Sequence, residues 1–230
     1  MSSNSGTNSA AFSNSFNYFV NTFSSANTPN IYTLNDSKTG KQLKEIKNNR
    51  ALSEKLSGYN LTKKEFFTLK TTNGDFNAWM MKPADFDPNK EYPLLMYQYS
   101  GPGSQSVANR WGGSNDYWYQ MLAQKGYIIA CVDGRGTGLR GRDFKKVTYK
   151  ELGKYEIEDQ IESAKLLGER TYIDKNRIGI WGWSFGGFMS TLAITKGADV
   201  FKMAIAVAPV ISWRYYDSVY TERFLRTPLE

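Results

Sequence analysis

The chain contains no histidine. The commonest general base and the commonest metal ligand are therefore both absent, and any site in these residues that needs an imidazole is incomplete. A single cysteine excludes a disulfide within the chain; Cys131 lies in the apolar run Tyr127-Ile128-Ile129-Ala130-Cys131-Val132, where it reads as a small buried residue. No apolar stretch reaches about 18 residues, and no charged segment leads into an apolar one, so neither a membrane span nor a signal peptide is expected in these residues. A concentrated basic patch is also lacking. The 29 Lys+Arg exceed the 22 Asp+Glu by +7, but the cations are scattered, and the densest stretches, residues 38–50 and 135–154, alternate with acids and glycines. That pattern argues against nucleic-acid binding. What is present is ordinary globular usage, 40% hydrophobic and 22% charged over 230 residues. This suits one domain of about 150 to 200 residues plus an extra segment.

Residues 1–15 are mostly small and polar, with a single Phe12, a composition expected to stay disordered. Residues 16–50 then carry Phe16-Asn17-Tyr18-Phe19-Val20-Asn21-Thr22-Phe23, Ile31-Tyr32-Thr33-Leu34, a turn cluster at 35–40, and Gln42-Leu43-Lys44-Glu45-Ile46. They read as two or three antiparallel strands, a ribbon only marginally stable alone. A short amphipathic helix is expected over 51–59. From residue 65 the pattern becomes regular. Phe66-Phe67-Thr68-Leu69-Lys70 and Phe76-Asn77-Ala78-Trp79-Met80-Met81 flank Asn73-Gly74, whose tolerance of positive φ makes a tight hairpin turn. Apolar runs at 93–97, 127–132, 177–181 and 203–207 suit strands covered on both faces. Helical patterns lie between them at 116–125, 157–169 and 185–195, the second with Ile157, Ile161, Ala164 and Leu167 on one face. Strands alternating with helices over residues 51–230 predict an α/β fold with a mostly parallel, doubly wound sheet.

The segment that carries chemistry is Ile180-Trp181-Gly182-Trp183-Ser184-Phe185-Gly186-Gly187-Phe188-Met189, a G-x-S-x-G directly after an apolar strand and directly before a helix. A serine on such a sharp turn adopts a strained backbone and presents its hydroxyl, while the flanking glycines keep side chains away from neighbouring backbone. The helix that follows brings its first amides and positive dipole end to where an oxyanion forms. The alternative is a glycine-rich turn without chemistry; the strand, the helix and the extra Gly187 favour a nucleophile. Tyr97-Gln98-Tyr99-Ser100-Gly101-Pro102-Gly103 follows another buried strand, at the edge where sites of open α/β sheets gather. On spacing alone, Tyr99 reads as an aromatic strand cap before it reads as a phenol donor. Asp133-Gly134-Arg135-Gly136-Thr137-Gly138 lacks the Lys-Ser/Thr of a phosphate-binding loop and does not run straight into a helix, which speaks against nucleotide binding.

Taken together, Trp181-Gly182-Trp183-Ser184-Phe185-Gly186-Gly187, Tyr99-Ser100-Gly101-Pro102, Asp133-Gly134-Arg135-Gly136, Glu158-Asp159-Gln160, Ala206-Val207-Ala208-Pro209-Val210, Trp213, Tyr215-Tyr216-Asp217-Ser218 and Tyr220-Thr221-Glu222-Arg223 resemble the dipeptidyl peptidase IV branch of the prolyl oligopeptidase family of serine peptidases. The resemblance runs from about residue 60 to the end. It implies an α/β-hydrolase domain preceded by a β-propeller, so that residues 16–50 correspond to a last propeller ribbon. It further implies that Ser184 is the nucleophile and that the Phe185 N–H and the Tyr99 phenol are the oxyanion donors. Val210, Trp213, Tyr216 and Tyr220, with the ring of Phe185, correspond to the box holding the substrate's proline ring. Without the resemblance, residues 213–220 would read as an aromatic helix face. Phe185 departs from the tyrosine usual at that position, which keeps the backbone donor and removes one hydroxyl.

In an α/β-hydrolase the triad follows the order Ser, Asp, His. Of the two aspartates after Ser184, Asp199 reads as a loop residue and Asp217 as part of the pocket motif. The expectation is therefore a hydrolase domain cut before its last strands, inactive by itself, from an enzyme that releases dipeptides with Pro or Ala second from the N-terminus. Another hydrolase of this fold, such as an esterase, and a non-catalytic interaction module are the alternatives. No cofactor or metal is implied. The resemblance points to a periplasmic or secreted enzyme, in which homodimers occur.

Overall fold

The computed structural model describes residues 4–227. Two compact units are distinguished: the chain up to Lys64 together with Ala108–Met121, and Glu65–Val107 together with the chain from Leu122 on.

In the first unit, β1 (Thr7–Phe12), β2 (Tyr18–Ser25), β3 (Thr28–Asp36) and β4 (Gln42–Lys47) form an antiparallel meander in sequence order. The β3–β4 turn is closed by Asp36, whose carboxylate accepts from the Thr39 backbone N–H at 2.8 Å and the Thr39 hydroxyl at 2.7 Å. Helix α1 (Arg50–Ser57) follows. The expectation of disorder through residue 15 is corrected here for residues 7–12, while residues 1–3 lie outside the described residues. All six residues of β1 are exposed, so burial does not order it. The strand is held by its ladder to β2, by the Asn21 amide donating to Asn8 at 3.1 Å, and by the Phe12 ring 5.4 Å from that of Phe19. A composition argument counts burial and misses a strand held on a neighbour's edge.

The division of the chain also differs from the expected boundary at residue 51. Ala108–Met121 belongs with the first sheet because Asn109 accepts from the Ala26 N–H at 2.9 Å, Gln120 exchanges two hydrogen bonds with the Thr62 backbone, and Asp116 pairs with Lys64 at 2.8 Å. Helix α2 (Ser114–Gln124) begins in this segment.

The second unit is a six-stranded sheet. Its strands are β5 (Glu65–Thr71), β6 (Gly74–Met81), β7 (Tyr92–Tyr97), β8 (Ile128–Asp133), β9 (Ile173–Trp183) and β10 (Met203–Val207), in the order β10-β9-β7-β8-β6-β5. The β5–β6 hairpin turns at Gly74, which takes a φ of 120°. β6 runs antiparallel to β8, whereas β8, β7, β9 and β10 are parallel. These are the order and directions of an α/β-hydrolase sheet over six strands, which the family resemblance implied; the alternation of runs and helices predicted its mostly parallel character. Every residue of β8 is buried. A core of Phe76, Met80, Leu94, Met96, Ile128, Ile178 and Ile180 lies beneath α4 (Tyr155–Gly168) and α5 (Phe185–Lys196). Between β8 and α4 sits the short α3 (Arg142–Lys146). Residues 213–220, which without the resemblance would read as one aromatic helix face, form a 3-10 turn, Trp213–Tyr215, followed by α6 (Ser218–Leu225). The helix restarts because the Asp217 side chain accepts from the Tyr220 N–H at 2.8 Å and caps it.

Candidate active site

β9 ends at Trp183 and α5 begins at Phe185, which leaves Ser184 alone at the corner with φ 57° and ψ −114°. A positive φ is costly for a residue with a Cβ and persists only where the surroundings impose it. Here they do. The Ser184 N–H donates to the Val207 carbonyl of β10 at 2.9 Å, and its own carbonyl accepts from Phe188 at 3.0 Å. The glycines on either side leave no room for side chains. A Cβ on Gly182 would collide with the Gln98 carbonyl, one on Gly186 would lie 2.5 Å from the same oxygen, and one on Gly187 would lie 2.7 Å from the Val207 carbonyl. The turn is thus clamped between the ends of β7 and β10. Phe185 is the first residue of α5, so its N–H has no partner within the helix and faces the start of the helix dipole.

The loop after β7 supplies the opposite wall. Ser100 also takes a positive φ, 60°, and turns the chain so that the Tyr99 ring covers Gly101, where a Cβ would come within 2.5 Å of it. The Tyr99 and Phe185 rings stand 6.2 Å apart. Gln98, overlooked in the sequence, ties the two walls together: its buried amide donates to the Gly186 carbonyl at 2.7 Å and the Ser190 hydroxyl at 3.3 Å. Its position directly before Tyr99 was the available signal. The Asp133 carboxylate holds the far end of this loop, accepting from the N–H groups of Ser106 and Val107 at 2.9 and 2.8 Å. Burial pushes its pKa up to about 6 despite those two hydrogen bonds. Arg135 folds back onto Asp159 through its backbone N–H, Nε and Nη2, at 2.6 to 3.0 Å.

Five aromatic rings line the remaining side. Trp213 packs edge-on against Phe188 at 5.4 Å, lies 5.7 Å from Phe185, and stacks on Tyr220 at 5.9 Å with 9° between planes. Tyr216 meets Trp213 and Tyr220 edge-on at 5.9 and 5.4 Å. Val210 is buried and Tyr216 partly exposed. Burial, then the Tyr99 and Tyr216 phenols, then Glu156 and Asp217, raise the Tyr220 pKa well above the ordinary phenol range. Below them Glu156 is buried, with Oε2 accepting from the Gly153 N–H at 2.9 Å and Oε1 unpartnered. Burial pushes its pKa up to about 7. Phe188 and Glu156 were not anticipated, because nothing in their local sequence separates them from ordinary helix residues.

The structure therefore sets Ser184 beside Phe185, whose ring meets those of Tyr99 and Trp213, and packs Trp213 with Tyr216 and Tyr220. The sequence profile of the prolyl oligopeptidase family matches residues 114–230, more than half of the chain. The chain belongs to the prolyl oligopeptidase family. It is similar to a prolyl endopeptidase FAP of Bos taurus, with 45% identity over 201 residues covering 86% of this chain and 26% of that protein. It is likewise similar to a dipeptidyl peptidase 4 of Trichophyton equinum, with 40% identity over 223 residues covering 95% and 28%. The crystal structure of Porphyromonas gingivalis dipeptidyl peptidase 4 superposes with a TM-score of 0.95 at 51% identity, over 99% of this chain and 32% of that one. The chain thus spans about a quarter to a third of the length of its relatives. As a member of the prolyl oligopeptidase family it is related to serine peptidases. Among the described residues no group of acids, cysteines and histidines could hold a metal ion, and no helix is long and apolar enough to cross a membrane.

Proposed function

We propose that this chain carries the nucleophile, the oxyanion donors and the proline slot of a dipeptidyl peptidase that releases N-terminal dipeptides with Pro, or less well Ala, in second place. The observation carrying the proposal is the strained Ser184 at the head of α5, next to Phe185, whose ring stands 6.2 Å from Tyr99 and 5.7 Å from Trp213 in a cluster of aromatic rings. Proline suits that box: it is rigid, has no N–H to satisfy, and its flat ring packs on aromatic faces. In the reaction, Ser184 Oγ bonds to the carbonyl carbon after the proline while the negative charge moves to the carbonyl oxygen. That oxygen accepts from the Phe185 N–H and the Tyr99 hydroxyl. Collapse breaks the C–N bond; the serine proton passes through a base to the leaving amine, and water later cleaves the ester. With no histidine in the sequence, the base comes from outside these residues, so turnover belongs to the full-length protein containing them. Residues 16–50 are assigned to a propeller ribbon in that protein.

The test is turnover of an Ala-Pro chromogenic amide. The 230-residue chain is expected to show none, since loss of a triad member typically costs about 10⁴ to 10⁶ in kcat. The full-length protein should cleave it, Ser184→Ala should abolish cleavage, and Tyr99→Phe should lower kcat about 10²- to 10³-fold with little change in KM. A full-length protein that prefers aliphatic esters, or Ser184-dependent turnover by the short chain, overturns the reading.

A further inference from the structure

A cavity of about 360 Å³ has a lining that includes Pro102, Lys145, Lys146, Tyr149, Arg223 and Phe224. Three of these residues are cations, and no carboxylate among the described residues lines the cavity. None of the three takes part in an ion pair among the described residues; Asp143, the acid nearest on α3, is paired with Arg142 at 2.8 Å. Like charges gathered without a counter-ion raise each other's energy, an arrangement that binding of an anion relieves.

The walls are built rather than incidental. The Lys145 stem lies against Gly103, where a Cβ would come within 2.9 Å of its Cε. α6 is pinned by the Lys150 N–H donating to the Phe224 carbonyl at 2.8 Å. The Tyr149 oxygen accepts from Arg226 Nε at 2.9 Å, which leaves its hydroxyl hydrogen to donate elsewhere. One ring separates the cavity from the slot: Phe224 lies 4.8 Å from Tyr220, which stacks on Trp213. Pro102 stands three residues beyond Tyr99 on the same loop. One residue of extended peptide spans about 3.3 to 3.6 Å, less than the 4.8 Å between the Tyr220 and Phe224 rings, so the acidic group of the residue adjoining a bound proline, and not its backbone, is what has to extend into the cavity.

We propose that this cavity is a carboxylate subsite that selects peptides with an acidic group flanking the proline. The carboxylate belongs either to an Asp or Glu side chain or to the free C-terminus of a short peptide. That the ligand is a peptide held by its proline rests on the peptidase reading; the affinity for carboxylate rests on the cavity alone.

The experiment titrates the full 230-residue chain at low salt, following backbone amide NMR shifts of residues 145–149 and 223–224. Acetyl-Asp-N-methylamide is compared with acetyl-Asn-N-methylamide, which tests the cavity without the slot. Asp-Pro-Ala-amide, Ala-Pro-Asp-amide, Ala-Pro-Ala and Ala-Pro-Ala-amide then separate side chain from C-terminus. Acidic ligands are expected to bind about 5- to 20-fold more tightly than their neutral partners, with most of the advantage lost at about 1 M salt. K145Q/K146Q and, separately, R223Q should reduce the ratio toward 1 without weakening the neutral ligands. Equal binding of acid and amide forms, or a ratio unchanged in both variants, overturns the subsite. Ala-Pro binding that is lost in W213A but shows no acid preference overturns the subsite alone. An acid preference with no response to any Ala-Pro peptide leaves the cavity as a carboxylate site and overturns its role in selecting proline peptides, while the peptidase reading is decided by turnover of the full-length protein.

Discussion

Replacing Gly186 by alanine sets two effects against each other. Gly186 lies in the first turn of α5, and helix propensity alone makes Gly→Ala stabilising by about 1 kcal/mol. Packing opposes it, because the new Cβ would lie 2.5 Å from the Gln98 carbonyl oxygen and 3.2 Å from the Tyr99 Cα. Both are backbone atoms at the end of a central strand, so neither yields as a flexible side chain would. Relaxed carbon–oxygen contacts lie near 3.3 Å, so the overlap approaches 1 Å. Overpacking of this kind costs about 1 to 3 kcal/mol, and a clash against backbone on two sides belongs at the upper end. The net expectation is a loss of about 1 to 2 kcal/mol, or about 2 to 8 °C in Tm for a chain of this size. Urea unfolding followed by tryptophan fluorescence measures it. Thr195→Ala, at an exposed position of the same helix, serves as the propensity control and should be neutral or slightly stabilising. A Gly186→Ala chain as stable as the wild type, or more so, would refute the claim that Gln98 and the α5 turn are in unyielding contact.

Three other outcomes follow from single features. Asp133 and Glu156 have pKa values raised by burial to about 6 and about 7, so the folded chain holds more protons than the unfolded chain between about pH 4 and 7. Stability is then full below the unfolded values and falls as pH rises, by about 3 kcal/mol for each group; burial raises the Asp159 carboxyl as well, so Glu156→Gln should remove part of the fall in urea midpoint from pH 4.5 to 7.5, and an unchanged slope would contradict this. Asp217→Ala removes the cap on α6 and should cost about 0.5 to 2 kcal/mol, with circular dichroism and thermal melting as the check. β10 ends the sheet with Met203 and Ile205 exposed, so Ile205→Lys should lower self-association in light scattering at micromolar concentration; equal scattering would show that this edge does not drive it.

The serine corner was legible because its ingredients are contiguous. Apolar residues, two spaced glycines and a helix pattern fall within about two dozen positions, and the backbone responds to them locally. The hairpin at Asn73-Gly74 was legible for the same reason, since positive φ is a property of those two residue types. Residues 7–12 were not, because what orders them is a ladder to β2 and not their own composition. Ala108–Met121 sits in sequence between β7 and β8, yet Asn109, Asp116 and Gln120 bind residues at positions 26, 64 and 62. No local pattern reports such partners.

What the sequence determined by itself was therefore the strands after β1 and the longer helices, the α/β class and the strained turn bearing Ser184, all consequences of propensities that act over a few residues. The tertiary structure alone decided which of those pieces meet. It placed the Gln98 amide under the turn, Asp133 beneath the loop of Tyr99, and Trp213 face to face with Tyr220 across a break in the helix. It also gathered Lys145, Lys146 and Arg223 around one cavity. Side chains from distant positions come together only when sheet order and burial bring their backbones close, and that closure depends on the whole chain at once.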